Sequence, residues 1–164
     1  MTLEAMGNLG ETVGGIAVVV SLVYLAIQMK HNTMSVRSAT YQSIVASAAA
    51  CNVTLTQSPD LARIFRIGCD DPTALDEDDR VRFYFLCSQF LDIFENLFLQ
   101  HRNGTVDDDY WLPRATSYGE LFKSPGFAEN WTNRRIDYAV PFRDYVDAML
   151  TSGVLGEDAS RVFR

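Results

Sequence analysis

The chain has 164 residues, with 21 acidic side chains against 14 basic ones and a net charge of −7. That balance argues against a general affinity for nucleic acid, whose phosphates demand a basic face, and against broad adhesion to anionic lipid. Cys51, Cys69 and Cys87 are odd in number and lack C-x-x-C spacing, which suits free thiols in a reducing compartment.

After a short N-terminal segment, residues 1–10, the chain runs from Thr12 to Met29 for eighteen residues without a charge. As a helix that run spans roughly 27 Å, close to the ~30 Å hydrocarbon thickness of a bilayer. Residues 11–30 are therefore read as a transmembrane helix. Its ten strong apolar side chains, among them Val18, Val19, Val20, Leu22, Val23, Leu25 and Ile27, favour insertion by about 3 to 6 kcal/mol. Thr12, Gly14, Gly15, Ser21 and Gln28 offset part of this, so the span is only moderately hydrophobic. The rival reading is a central helix in a soluble bundle or oligomer. A signal peptide does not fit, because no positive segment precedes the run and no small-residue cleavage site follows it. Glu4 and Glu11 precede it and Lys30 and Arg37 follow it, so the Lys/Arg asymmetry directs the C-terminal side toward the cytoplasm.

Residues 31–57 continue the helix. Met34, Tyr41, Ile44, Ala48, Cys51 and Leu55 recur at helical steps, and no Pro or Gly appears before Pro59. Residues 58–152 then read as one helical bundle domain. Ser58 and Pro59 open a short helix that Gly68 is expected to close. Asp76 caps a long helix from Glu77 to Arg102 with an acidic first turn, and its many Phe and Leu residues make it the apolar hub of the bundle. Asn103 and Gly104 end it. Asp107 caps a helix to Lys123, Ser124 and Pro125 start one through Tyr138, and Pro141 opens the last, to Thr151. Residues 153–164 are read as a loosely held tail. With no alternating strand pattern, the fold class is all-α: an N-terminal transmembrane helix continuing into an antiparallel helical bundle.

Five segments, Val23–Thr33, Ser38–Gln42, Asp60–Gly68, Arg80–Phe83 and Phe94–Asn96, together resemble an uncharacterised family of small bacterial proteins with one N-terminal span and a helical domain. The resemblance covers most of the chain and implies bacterial origin and membrane anchoring. It carries no activity, cofactor or catalytic residue.

Gly10, Gly14, Ala17, Ser21, Tyr24 and Gln28 fall at alternating steps of four and three, a seam that continues through His31, Ser35, Ser38 and Gln42. Small residues let helices approach closely in lipid, so the seam reads as a contact with a second copy or another membrane protein, against a chance stripe of small residues or packing on the chain's own bundle. Glu95 stands in the most apolar part of the hub helix and needs a partner, for which Arg135 is the candidate in a buried polar pair. Trp111, Trp131 and Arg134 are candidates for a partner-binding groove, against the alternative that they are core. His101, in the last turn of its helix, is read as a dipole cap.

No metal site is expected. Asp92 and Glu95 lie one turn apart, but the Glu-x-x-His pairs of di-metal bundles are missing, and Asp70–Asp79 lacks the central Gly and terminal Glu of an EF-hand. No catalytic or cofactor-binding residue is identified. The reading that results is a membrane-anchored accessory or scaffold subunit of a bacterial inner membrane, single-pass with its C-terminal domain cytoplasmic. Its partners are the lipid bilayer and another membrane protein or itself. The alternative is a tethered sensor holding an apolar molecule or lipid among the hub phenylalanines.

Overall fold

A computed structural model of the chain describes residues 3–152, with side chains placed from Gly14 to Thr151. Among the described residues there are six α-helices and no strand. The chain divides into two compact units, residues 1–39 and residues 40–164. The expected tail, 153–164, lies outside the described residues.

Helix α1, Leu3–Gln57, runs 55 residues without interruption and starts before the expected Glu11, so residues 3–10 are helix rather than a separate segment. Hydroxyls within it are satisfied locally. Ser21 Oγ donates to the Ala17 carbonyl at 2.8 Å and Thr33 Oγ1 to the Met29 carbonyl at 2.9 Å, which keeps them compatible with an apolar setting. In the second unit α1 turns Ile44 and Cys51 inward, with Ala48 and Leu55 half-buried on the same face. Tyr41 meets Tyr110 edge to face at 4.6 Å.

Ser58 stops α1 and caps α2, Pro59–Asp70, by accepting from the Leu61 amide at 3.2 Å. Gly68 does not close this helix; it lies within it, where α2 meets α5. A Cβ on Gly68 would sit 2.4 Å from the Phe83 ring, and one on Gly126 would sit 1.9 Å from the Gly68 carbonyl oxygen. The two glycines permit backbone-to-backbone approach. Asp71 then accepts from the Thr73 amide and hydroxyl in a 3₁₀ turn, Pro72–Ala74, and those bonds hold its carboxyl below the usual range.

Helix α3, Glu77–Arg102, begins and ends where its capping residues place it, with Asp76 accepting from the Asp79 amide at 2.8 Å. Gly104 follows at φ +72°, the left-handed conformation that glycine adopts without strain. The helix is buried on most sides but not all. A strip of Val81, Phe85, Gln89, Asp92 and Asn96 is exposed.

Helix α4, Asp108–Phe122, is capped by Asp107 and tolerates Pro113 in its second turn. Helix α5, Pro125–Arg134, ends earlier than the expected Tyr138 and gives way to a 3₁₀ turn, Arg135–Asp137. Ser124 does not cap it, because its hydroxyl donates back to the Leu121 carbonyl. Helix α6, Val140–Ser152, buries Phe142, Tyr145, Val146 and Met149.

The bundle core is largely aromatic. Phe94, fully buried, stacks on Trp111 and Tyr118 and meets Phe122, Phe142 and Tyr145 edge-on.

Candidate functional site

The N-terminal stretch of α1 combines two properties that rarely coexist in water. It is apolar and it is exposed: Ile16, Val18, Val19, Val20, Leu22, Val23, Leu25 and Ile27 each keep between 49% and 61% of their surface. At 100° per residue these positions spread over about 220° of the helix circumference and leave the remaining arc to the small and polar seam, so no single packing partner on one face could cover them. From Gly14 onward α1 is long and apolar enough to cross a membrane, with a mean hydropathy of 1.4 in its best window and none of that window buried.

The seam residues lie on this helix. Gly10 is within α1, nothing lies within 4 Å of where a Cβ on Gly14 would be, and Ala17, Ser21, Tyr24 and Gln28 are exposed. Because Ser21 spends its proton on Ala17, it offers only acceptor lone pairs across the helix surface.

Glu95 and Arg135 do not form the expected buried pair. Glu95 is half-buried and its Oε1 accepts from the Ala139 amide at 2.7 Å, tying α3 to the start of α6. Arg135 is exposed and pairs with Asp147. The α5 helix stops just before Arg135, and the turn that follows carries its side chain toward α6 instead of α3.

Trp111 and Trp131 do not line a groove. They are 1% and 3% exposed, respectively, and belong to the core. Trp111 stacks between Phe94 and the His101 ring, and Trp131 Nε1 donates to Asp147 Oδ1 at 2.9 Å. Arg134 lies 4.8 Å from the Tyr84 ring centroid, donates to Ser88 Oγ and pairs with Asp137, so its cation is already engaged. His101 is more than a cap: its Nε2 lies 2.7 Å from Asp108 Oδ1 across the α3–α4 connection.

The acidic segment from Asp70 to Asp79 caps helices, as its sequence indicates, but Asp79 is buried and joins a network. Arg63 donates to Asp79 at 2.6 Å and to Asp60 at 2.9 Å, and Arg82 reaches Asp60 at 2.9 Å. These carboxylates raise the Arg63 pKa, Asp79 foremost, and the cluster fastens α2 to the start of α3. Among the described residues no group of three or more His, Cys, Asp or Glu side chains is placed to hold a metal ion.

All three cysteines are free thiols. Burial pushes Cys69 up to about 11 and raises Cys51 and Cys87 as well, so none is a thiolate nucleophile at neutral pH.

In the second unit, Ser47, Ala50, Cys51 and Thr54 of α1 and Gln89, Asp92 and Ile93 of α3 line an open groove of about 380 Å³. The groove arises from how two helices far apart in the chain pack, so no local signal in the sequence marks it. No protein-family model, curated protein or solved structure matches this chain.

Proposed function

We propose that this protein is a membrane-anchored helical interaction protein, an accessory or scaffold subunit of a bacterial inner-membrane assembly, with its C-terminal unit in the cytoplasm. The observation that carries the reading is the all-round exposure of the uncharged apolar helix from Gly14 to Met29. Such a surface needs lipid or other apolar helices around it. Lys30 and Arg37 after the run support the orientation, and the seam of Gly14, Ala17 and Ser21 supports helix-to-helix contact within the membrane. The sensor reading has less support, because the hub phenylalanines are engaged in ring contacts across the core.

The test is extraction of the full chain from membranes in native nanodiscs, followed by identification of what travels with it. A stoichiometric membrane-protein partner or a homo-oligomer is the expected result. A chain that stays in the soluble fraction, or one that extracts as a lone monomer, overturns the proposal.

A further inference from the structure

Within the second unit, α1 packs on the bundle through Ile44, Ala48, Cys51 and Leu55. Gln42, Ala46, Ala49, Val53 and Gln57 recur at steps of three and four on the opposite side, about 180° away at 3.6 residues per turn, and all five are exposed. This outer face carries no charge, because the chain has none between Arg37 and Asp60. Every other helix of the unit exposes a carboxylate, for example Asp60, Glu77, Asp108, Glu129 and Asp144. Depletion of charge is what sets the core of a protein interface apart from the rest of a surface.

The character of the face selects its occupant. Two copies anchored by the same N-terminal helix enter the bilayer in one direction, so their α1 helices run parallel. In a two-fold pair of this kind each residue meets its own counterpart, and any charge at the contact would face itself. Here there is none. Ala46 and Ala49 let two backbones approach closely, and the carboxamides of Gln42 and Gln57, which both donate and accept, can hydrogen-bond to their own copies. The size of the face points the same way. Residues 42–57 extend about 24 Å, and a contact strip about 10 Å wide buries roughly 500 Å² over both partners, against about 1,200–2,000 Å² in stable complexes. A face this small does not recruit a partner from bulk solution. It closes between chains that a shared membrane already holds side by side at high effective concentration. We propose that the outer face of α1 from Gln42 to Gln57 docks in parallel against the same face of a second copy of this chain in the same membrane. The inference rests on the membrane-anchor reading and names the partner as the chain itself.

The experiment is cysteine cross-linking of the full-length protein in native membranes, with copper phenanthroline as oxidant and non-reducing gels as readout. The parent, with Cys51 and Cys87 buried, sets the baseline. Ala46→Cys and Val53→Cys lie on the face, whereas Ser47→Cys and Asn52→Cys lie on its two flanks. A disulfide needs Cβ atoms about 3.5–4.5 Å apart, so the two face positions give a disulfide dimer well above the baseline and the two flank positions do not. Ala49→Glu sets like charges against each other and lowers the Ala46→Cys dimer about tenfold, whereas Asn52→Glu, the same charge on a flank, leaves it unchanged. Tryptophan melts of Ala49→Glu that match the parent show that the bundle is intact. Equal cross-linking on face and flanks, no dimer above the baseline, cross-links to a different protein, or indifference to Ala49→Glu overturns the proposal. Where the chain sediments with membranes in those cases, the membrane reading stands and only this inference falls; recovery in the soluble fraction overturns both.

Discussion

Gly126→Ala sets two effects of opposite sign against each other. In an open helix, replacing Gly by Ala stabilises by about 1 kcal/mol through propensity and reduced chain entropy. At Gly126 the new methyl would sit 1.9 Å from the Gly68 carbonyl oxygen, against the 3.4 Å at which van der Waals contact becomes ordinary. The obstruction is backbone, so no rotamer change relieves it, and α2 and α5 must part by about 1.5 Å, the difference of those two distances. Parting them loosens Ile64 and the ring contacts of Phe65 and Phe83 with Phe127. Overpacking of this kind costs about 1–3 kcal/mol, and forfeited contacts around a fully buried Ile and Phe bring the net loss to about 2–3 kcal/mol. For a unit of this size that lowers the melting temperature by roughly 6–12 °C. Trp111 and Trp131 are both in the bundle and the chain has no other tryptophan, so their fluorescence reports bundle unfolding in the full-length protein without interference from the apolar part of α1. Gly104→Ala is the companion measurement: there nothing lies within 4 Å, and the cost is the left-handed φ of +72° alone, about 1–2 kcal/mol. A Gly126→Ala protein as stable as the parent, or more so, refutes the close approach of α2 and α5.

Replacing both Val20 and Leu22 by Lys adds about 5–7 kcal/mol against insertion at the centre of the span, and the full chain should leave the membrane fraction after an alkaline wash; unchanged retention would contradict the anchor. Trp131→Phe keeps an aromatic ring but removes the bond to Asp147 and part of the buried indole volume, and should lower stability by about 2–4 kcal/mol in thermal melts. Arg63→Ala leaves the buried Asp79 with only the more distant Arg82 at 3.6 Å, and a lower melting temperature, with a difference from the parent that shrinks in high salt, is expected. Cys69 titrates near 11 in the folded state against 9.0 for an ordinary thiol, so folding favours its neutral form. Its contribution is complete below pH 9.0 and is lost as pH rises toward about 11, and its alkylation rate should climb through the same window; a rate that levels off near neutral pH would contradict the burial.

Helix boundaries followed local chemistry. Ser58, Asp76 and Asp107 each accept from an amide three residues ahead, a contact written entirely within four consecutive residues, and the helices after them begin where those residues stand. Gly68 misled for a reason that is not local. Glycine ends helices when its own φ is the issue, but Gly68 stays helical, and the space its side chain would fill is taken by the Phe83 ring, 15 positions away. Ser124 looks like a cap and is none, because its hydroxyl finds the Leu121 carbonyl first.

The same division separates the candidate sites. The uncharged run of α1, its small-residue seam and its flanking charges are properties of consecutive residues, and the sequence alone determined them along with the all-α class and most helix starts. Which long-range partner each polar side chain takes was decided only by tertiary packing. Glu95 meets Ala139 and not Arg135, Trp131 meets Asp147 within the core, and a groove opens between α1 and α3 that neither contains by itself. Capping and helical periodicity act over one to four residues, whereas these pairings join residues up to 46 apart, as in Arg134 with Ser88, and depend on how the helices are set against one another.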